Sequence, residues 1–466
     1  MVIRIRKDFL ACIYSFILII LILVNWVGIQ ERYTVCAYPY QDIQDITIGD
    51  LDANHIGCEV ALMTPSGISV VGDITYSPWA KTVYENPDWV LNPIVAFAAD
   101  NFDPKLKSLE LIALTLNGTL LLIEQNASNW DIRVIGSLPW GDPIWTTHAV
   151  TSGQLNSTSE AAELVIVGEY FDVPTMSHLG CAIIVQSLDN VTWQIETVYT
   201  TSKSLLCTAV GNVDSTTPEE ELVMAGQESN VISLKRANDT WQSEILFSWS
   251  RAIPSITIGD FLLDKVGYEI GLVLGADVFT LYKSGNSWTP KQIWDNDETQ
   301  TNLQFLIACN IDPWNPGDEL LACCTNIALQ GAQFYILAYN SETWTHRVLL
   351  NLLSAPTTIE VGNIDFYRDS DEIIFASSSY VNILAIPNGV DRTIRAFVSV
   401  LLPALVLFPS TIILFILADY ISRVSVIRRR NYTLQMVARG FAKCPYCKRF
   451  VPKDRMKAHR RTHQHR

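Results

Sequence analysis

The chain has 466 residues, of which 49% are hydrophobic and 17% are charged, and its formal net charge is −15. This length excludes a single small domain, and it allows one large domain with appendages or two to three ordinary domains. The hydrophobic share is at the upper end for a soluble globular protein, and two uncharged stretches account for the excess.

The first of these stretches occupies residues 9–28, and it follows a short basic segment, residues 1–8, that contains Arg4, Arg6 and Lys7. Its length is close to the roughly 20 residues that a helix needs to cross a bilayer. We therefore predict a transmembrane helix over 9–28. A basic segment before an apolar core is also typical of a cleaved signal peptide, and that alternative stays open.

A sevenfold repeat follows the first stretch. Each unit has a short apolar strand, then Asp, Asn or Gln, a polar turn, a Glu and a second apolar strand. The polar residue and the Glu are nine positions apart in six units and ten apart in the second: Asp50–Glu59, Asp100–Glu110, Gln154–Glu163, Asn212–Glu221, Asp260–Glu269, Asn310–Glu319 and Asn363–Glu372. This register indicates a structural repeat rather than a random distribution of acidic residues.

A third strand follows in most units, and a fourth strand is opened by tryptophan in six of them: Trp79, Trp130, Trp193, Trp241, Trp288 and Trp344. Four strands recurring about every 50 residues predict an all-β fold, a seven-bladed β-propeller over residues 32–390. The seventh unit lacks its tryptophan strand. Because an unpaired last blade would expose a sheet edge, we predict that the segment Arg32–Ala37 supplies the missing outer strand and brings both chain ends to one side of the ring.

The pattern Gly-Asp/Asn-x-Asp, polar loop, Asp-Glu-Leu/Ile resembles FG-GAP/VCBS repeats, the units of integrin-α-like propellers. The best matches are Gly211-Asn-Val-Asp, Asn310-Ile-Asp with Asp318-Glu-Leu, and Gly362-Asn-Ile-Asp with Asp371-Glu-Ile. The resemblance covers most of the region between the two uncharged stretches. It implies a propeller architecture more specifically than it implies a role.

The resemblance also implies a Ca²⁺ loop, for which the first unit offers Asp50, Asp52, Asn54 and Glu59. Alternating oxygen ligands of this kind suit a hard cation. Two departures from the family pattern are evident, since the closing acidic residue comes one position late and the central glycine is absent. The alternative is a structural turn held by Asp and Asn side chains, with the Glu hydrogen-bonded to a neighbouring blade.

The second uncharged stretch predicts a transmembrane helix over residues 395–419. The segment 31–395 contains 16 Lys and Arg against 45 Asp and Glu, which gives −29, whereas 14 Lys and Arg follow Ser422 against Asp454 alone. Basic residues are retained in the cytoplasm. We therefore predict a cell-membrane protein with an extracellular propeller and both termini in the cytoplasm.

Two further features of the segment between the predicted helices agree with an exterior location. It contains five N-glycosylation sequons, which begin at Asn117, Asn126, Asn156, Asn190 and Asn238. It also contains seven cysteines, which start at Cys36 and end at the pair Cys323-Cys324. Disulfides are permitted outside the cell, but an odd number leaves at least one thiol free, and we interpret some of these residues as small apolar core residues.

The basic tail divides into a juxtamembrane linker, residues 421–440, and a zinc-finger-like module, residues 441–466. We expect Arg428-Arg-Arg in the linker to contact anionic lipid headgroups. The module contains Cys444, Cys447, His459 and His463 in the order Cys-x2-Cys-x11-His-x3-His, which resembles a two-cysteine, two-histidine zinc finger with one residue fewer before the first histidine. This donor set predicts a closed, structural Zn²⁺ site.

Two alternatives for the module stay open. His465 can replace His463 as the fourth ligand, or the tail is a solvated basic segment in which the cysteines and histidines fall together by coincidence. Phe450 and Met456 are its candidate core, and metal binding would supply most of the folding energy.

The chain contains no Gly-x-Ser-x-Gly, no phosphate-binding glycine loop and no His-Glu-x-x-His. We therefore predict no catalytic residues and no enzyme. The pattern favours a membrane-anchored cell-surface receptor or adhesion-type protein that binds an external protein or glycan, with the finger contacting a cytoplasmic protein partner or the membrane lipids rather than nucleic acid. The alternatives are a non-signalling envelope scaffold and an extracellular propeller enzyme.

Overall fold

The computed structural model describes residues 31–385 with gaps of one to seven residues, and residues 424–455 with gaps of one or two. The chain divides into two compact units, one of which is the segment Gln30–Asn388. The predicted membrane helices over 9–28 and 395–419 lie outside the described residues. Within the described part, no helix combines the length and the apolar character needed to cross a membrane.

The segment Gln30–Asn388 contains seven four-stranded antiparallel sheets in its described residues. Blades 1 to 3 are formed by β2 (Asp45–Gly49), β3 (Glu59–Thr64), β4 (Gly67–Gly72) and β5 (Trp79–Glu85), by β6 (Ile94–Asp100), β7 (Glu110–Thr115), β8 (Thr119–Asn126) and β9 (Asn129–Ser137), and by β10 (Trp145–Gly153), β11 (Glu163–Asp172), β12 (Ser177–Ser187) and β13 (Trp193–Thr201).

Blades 4 to 6 continue the same order. They are formed by β14 (Leu205–Gly211), β15 (Glu221–Gly226), β16 (Asn230–Ala237) and β17 (Thr240–Ser248), by β18 (Ile256–Gly259), β19 (Glu269–Leu274), β20 (Asp277–Ser284) and β21 (Ser287–Trp294), and by β22 (Thr301–Cys309), β23 (Glu319–Asn326), β24 (Gly331–Asn340) and β25 (Thr343–Leu352). Blade 7 combines β26 (Thr358–Gly362), β27 (Glu372–Ser377) and β28 (Tyr380–Ala385) with β1 (Glu31–Val35).

The position of each strand in its blade follows from its side chains. The second strands β7, β15 and β19 are apolar at nearly every position and buried along their whole length, because both faces of a propeller blade are covered by neighbouring blades. The outer strand β17 carries polar residues at most positions and is largely exposed. Val, Ile and Leu suit such pleated, buried surfaces.

The innermost strands close a ring. Contacts join β2 to β6, β6 to β10, and so on around to β22 and β26, and β26 in turn contacts β2. The outer strand of blade 7 comes from the start of the domain, since β1 pairs antiparallel with β28 and Arg32 lies opposite Leu384. Both predictions, seven blades and closure by the N-terminal segment, are confirmed.

The hydrophobic core lies between the blades, and each of seven clusters joins two adjacent blades. Phe334 of blade 6 meets Phe375 of blade 7 edge to face, with ring centroids 5.1 Å apart. The tryptophans at the start of the fourth strands pack against these clusters; Trp193 contacts the cluster between blades 2 and 3. The six tryptophans therefore contribute to the packing between blades.

Five of the cysteines in the propeller are buried in its hydrophobic core. Cys181, Cys207, Cys309, Cys323 and Cys324 are buried and carry thiols rather than disulfides. Burial raises the pKa of both the Cys181 and the Cys207 thiol to about 12, so these groups stay protonated. The interpretation of these residues as small apolar side chains is confirmed for these five.

The other unit is described over 424–455. Its strands β29 (Phe441–Lys443) and β30 (Phe450–Pro452) form an antiparallel hairpin that is followed by a 3₁₀ turn, Lys453–Arg455. A helical segment over 431–438 precedes the hairpin. The rings of Tyr432 and Phe450 meet edge to face at 5.7 Å, which joins the helical segment to the hairpin.

Candidate functional site

Each repeat unit forms one turn, which joins the first and second strands of its blade and ends at the repeated Glu. In blade 1, one oxygen of Glu59 accepts hydrogen bonds from the backbone N–H groups of Leu51 and Asp52, at 2.8 and 3.0 Å. Equivalent bonds are made in the other blades by Glu110, Glu163, Glu221, Glu269, Glu319 and Glu372. The repeated Glu is therefore a buried acceptor that closes the turn of its own blade.

This geometry corrects one expectation, because the Glu was expected to reach a neighbouring blade. Its carboxylate instead points back along its own strand pair and occupies the interior of the turn. Desolvation by burial raises the pKa of Glu59, Glu110 and Glu163 to about 7 each, against the opposing effect of the N–H donors. These carboxyl groups titrate near neutral pH.

The contact between blades is made by the residue that precedes the Glu. In blade 6, the Asp318 carboxylate accepts a 2.9 Å hydrogen bond from the Asp260 N–H of blade 5, and the Asp318 N–H donates to the Asp260 carbonyl oxygen. Glu220 is paired with Gln154, and Asp371 with Asn310, in the same reciprocal way. The sequence contains a signal for this contact between blades, because an acidic residue immediately precedes the repeated Glu in these three blades.

The four residues considered for calcium lie together in the first turn, but hydrogen bonds occupy several of their oxygens. One oxygen of Asp52 accepts from the backbone and side-chain nitrogens of Asn54, both at 2.9 Å, and the other lies 3.0 Å from His55 Nδ1. Burial acts to raise the pKa of Asp52, and the hydrogen bonds from Gln125, Asn54 and His55 together bring it below its usual value.

The bond from the Asn54 N–H to Asp52 is the side-chain turn proposed as the alternative to calcium. The oxygen of Glu59 that faces this turn is engaged by two backbone donors, as described above. No group of three or more His, Cys, Asp or Glu side chains suited to a metal occurs within the described residues. The arrangement stabilises the turn by hydrogen bonds within the protein.

Of the predicted zinc ligands, the structure describes the two cysteines. The ligands His459 and His463 and the candidate core residue Met456 lie outside the described residues. Cys444 is buried and Cys447 is half-buried at the end of the β29–β30 hairpin. The Cys444 N–H donates to the Arg449 carbonyl, and the Lys448 N–H donates to the Cys444 carbonyl, at 2.8 and 3.0 Å. Lys448 adopts a positive φ of 60°, which tightens the turn that carries both thiols.

The two faces of the propeller differ in what they carry. Glu31 of β1 lies opposite Ala385 of β28, and the same edge of blade 7 holds the paired residues Gly362 and Glu372. The chain therefore enters and leaves the propeller at the face that carries the Glu-closed turns. We call this the chain-end face, and we call the other one, with the turns between second and third strands and the connections between blades, the opposite face.

The sequons are divided unequally between the faces. Asn126 and Asn156 lie in turns of the chain-end face, and Asn190 and Asn238, which lie outside the described residues, fall in sequence between the third and fourth strands that meet at the same face. Asn117 alone belongs to a turn of the opposite face, between β7 and β8. N-glycans at these positions would leave the opposite face largely uncovered.

Exposed apolar side chains show the reverse distribution. On the opposite face, the described residues with large exposed apolar side chains are Trp89, Val90, Leu91, Val173, Met176, Trp249, Leu353 and Tyr380. On the chain-end face they are Leu188, Val191, Leu263 and Tyr268. A further four, Ile132, Val134, Ile245 and Val348, lie on outer strands. The opposite face thus carries twice as many of these side chains as the chain-end face.

A cavity of about 400 Å³ opens on the opposite face at blade 1. Its described lining residues are Ile43, Leu62, Thr64, Ser66, Gly67, Ser69, Thr82, Glu85, Asn86 and Trp89. They come from β3, β4, β5 and the turn between β3 and β4, and from the connections that precede β2 and follow β5. None of these residues was singled out from the sequence, because the lining is assembled from separate strands.

A polar cluster in blade 3 also escaped prediction. The Ser204 hydroxyl donates to one oxygen of Glu169, and the other oxygen of Glu169 lies 3.5 Å from His178 Nδ1. The carboxylate stands between the hydroxyl and the imidazole. Activation of a serine nucleophile requires a direct contact between hydroxyl and base, and this cluster does not provide one.

No family model matches the chain, and no curated protein matches it. Several solved structures are similar at low identity. A mutant of the Aleuria aurantia lectin in complex with Fucalpha1-6GlcNAc is 12% identical, with a TM-score of 0.41, over 68% of this chain and 99% of that chain. BBS1N in complex with ARL6DN is 10% identical, with a TM-score of 0.49, over 76% and 97% of the two chains.

The Saccharomyces cerevisiae protein Sqt1 is also 10% identical, with a TM-score of 0.44, over 74% of this chain and 96% of that chain. TM-scores below 0.5 carry no argument about this chain. The assignment of a seven-bladed β-propeller therefore rests on its own strand pairing and ring closure.

Proposed function

We propose that the chain is a membrane-anchored cell-surface receptor or adhesion-type protein that binds an external ligand through the opposite face of its propeller. The observation that carries this proposal is the segregation of the two faces. The described ends of the propeller, Glu31 and Ala385, and the sequon residues Asn126 and Asn156 belong to one face, while the cavity and twice as many exposed apolar side chains belong to the other.

The anchoring rests on the sequence. Two uncharged stretches, residues 9–28 and 396–418, flank the propeller, and the charge changes from −29 over residues 31–395 to strongly positive beyond Ser422. Retention of basic residues in the cytoplasm favours an extracellular propeller. Because the propeller begins at Glu31 and ends at Ala385 on the same face, membrane tethers that continue from both ends would leave the opposite face accessible to a ligand.

The tail supports a second contact inside the cell. The β29–β30 hairpin presents Cys444 and Cys447 from one tight turn, as a tetrahedral Zn²⁺ site with two thiolates requires. The remaining donors would be His459 and either His463 or His465. Zinc bound by all four donors would stabilise the fold of the module. We propose that this module contacts a cytoplasmic protein partner and that Arg428-Arg-Arg contacts anionic lipids.

Protease protection on intact cells tests the topology. An epitope tag in the propeller and one after Arg466 are followed by immunoblot after external protease treatment. The proposal expects digestion of the propeller and protection of the tail, together with a glycosidase-sensitive loss of mass that Asn126→Gln reduces. A protected propeller, or a digested tail, would contradict the proposed orientation.

Deletion of residues 424–466 then separates a receptor from a non-signalling scaffold. A receptor is expected to reach the surface and bind as before, but to lose the cellular response to its ligand. A scaffold would retain its effect on envelope integrity without any ligand-dependent response.

A further inference from the structure

We infer that the cavity of blade 1 binds one or two rings of a neutral saccharide, with Trp89 stacked on a sugar ring. The inference rests on the proposed ligand-binding role of the opposite face, and it adds a site and a ligand class to that role. The argument comes from the chemistry of the lining, the rigidity of the Trp89 connection and the volume of the cavity.

The lining is rich in hydroxyl groups and poor in charge. Thr64, Ser66, Ser69 and Thr82 contribute hydroxyls, and they form two pairs at 3.3 Å, Thr64 with Ser66 and Ser69 with Thr82. Each hydroxyl offers one donor and two acceptor sites. The Thr64 hydroxyl donates to the Gly67 carbonyl oxygen at 3.1 Å, so towards a ligand it can act only as an acceptor. A polyhydroxylated ligand matches such a surface.

The charged and apolar groups of the lining further restrict the class of ligand that the cavity can bind. The described lining contains one carboxylate, Glu85, and no Lys, Arg or His, so an anionic ligand would find no opposite charge. Two apolar side chains, Ile43 and Leu62, are too few to bury an acyl chain. A carboxylate can accept hydrogen bonds from two adjacent hydroxyls of one sugar ring.

Trp89 supplies the aromatic surface. Its side chain is 48% exposed, and an indole ring combines a large apolar face with little conformational entropy to lose on binding. The apolar C–H face of a sugar ring packs well against such a surface.

The connection that carries Trp89 is held in place before any ligand arrives. The Asn86 side-chain nitrogen donates to the Asn92 carbonyl at 2.7 Å, and the Asn86 side-chain oxygen accepts from the Asp88 N–H at 3.1 Å. The Asn92 N–H donates to the Asp88 carbonyl at 2.8 Å. Asn86 thus joins the two ends of the connection, and a rigid presentation reduces the entropic cost of binding.

The volume fits a small ligand. At about 400 Å³, the cavity lies near the lower end of the roughly 300–1,000 Å³ that small-molecule sites occupy. One or two sugar rings fill such a space. The opening towards the opposite face leaves room for the rest of a glycan to extend into solvent.

The test uses the full chain in lipid nanodiscs, because sugar-headed detergents would compete for the site. It carries Asn117→Gln throughout, since the Asn117 N–H donates to Asn92 Oδ1 at 2.8 Å and a glycan there would lie beside the Trp89 connection. The probe is a microarray of neutral and sialylated glycans. We expect binding to at least one neutral glycan, weakened at least tenfold by Trp89→Ala and at least threefold by Glu85→Gln.

Trp249→Ala is the matched control, because Trp249 is 40% exposed on the same face but belongs to the connection between blades 4 and 5. It should leave glycan binding unchanged, and all variants should share the melting temperature of the parent. The inference is overturned if no neutral glycan binds, if only sialylated glycans bind, or if Trp249→Ala weakens binding as much as Trp89→Ala.

Failure of the saccharide inference can be distinguished from failure of the proposed function. A propeller that is digested on intact cells but binds no neutral glycan overturns the saccharide site and leaves the receptor topology standing. A propeller that binds glycans in nanodiscs but is protected on cells overturns the topology and leaves the site standing.

Discussion

Asp318 and Asp260 hold blades 5 and 6 together by two reciprocal hydrogen bonds, each 2.9 Å long, between one carboxylate, one carbonyl and two backbone N–H groups. Asp318→Ala removes the acceptor for the Asp260 N–H. We expect a loss of about 1–3 kcal/mol in the free energy of unfolding, the usual cost of leaving a polar group without its partner. Chemical denaturation measures this loss.

The control for this prediction is Glu244→Ala, because Glu244 is exposed on the outer strand β17. That substitution is expected to change stability by less than about 0.5 kcal/mol. Equal effects of the two substitutions would mean that the link between the turns does not contribute to stability.

The buried glutamates predict a pH dependence. Burial raises the pKa of Glu59 and Glu163 to about 7 in the folded state, against 4.5 for an unperturbed Glu. Between these values the folded state holds protons that the unfolded state has released, so stability falls as pH rises from about 4.5 to 7 and is constant beyond. The double variant Glu59→Gln/Glu163→Gln should flatten this slope, measured by melting temperature at pH 5, 6, 7 and 8. Glu244→Gln should leave it unchanged.

The seam between the first and last blades contains a second titratable pair. Desolvation raises the pKa of Asp45 on β2 to about 6 and that of Glu360 on β26 to about 8, and the negative charge of Asp45 adds to the rise in the pKa of Glu360. Stability contributed by the protonated Glu360 is therefore lost as pH rises to 8. Glu360→Gln should raise the melting temperature more at pH 9 than at pH 5. An equal gain at both values would exclude titration as the cause.

Ring closure depends on the backbone of β1. Replacement of residues 31–35 by a Gly-Ser segment of equal length should expose the edge of β28, lower the melting temperature and promote aggregation, because unpaired strand edges recruit other chains. A replacement rich in Thr and Val should restore both properties, since the pairing uses main-chain groups. Thermal melts and size-exclusion chromatography measure the two effects. Undiminished stability of the Gly-Ser variant would show that the ring does not need this strand.

The tail is expected to hold one zinc ion per chain. The purified full-length protein should contain one equivalent by elemental analysis, and Cys447→Ser should reduce it to background. Ser422→Ala, on the linker side of the module, serves as the control. A zinc content that Cys447→Ser does not change would exclude this thiol as a ligand.

Much of the fold could be predicted because its signals are local. The Glu turns and the apolar second strands recur seven times, once in each blade, and a tryptophan opens the fourth strand of six units. Closure by the N-terminal strand followed from the missing outer strand of the last unit. The partner of Glu59 was predicted wrongly, because the sequence shows that an acceptor is needed but not which backbone donors reach it.

The sequence by itself determined the repeat, the blade count, the closure and the division into an acidic domain and a basic tail, because each is expressed by the order of residues within a few turns or strands. Only the tertiary structure decided that Asp318 meets Asp260 and that Trp89 borders a cavity with the hydroxyls of Ser69 and Thr82. These relations join residues from different strands or blades. Their distances are set by ring closure and by packing between sheets, which no local pattern encodes.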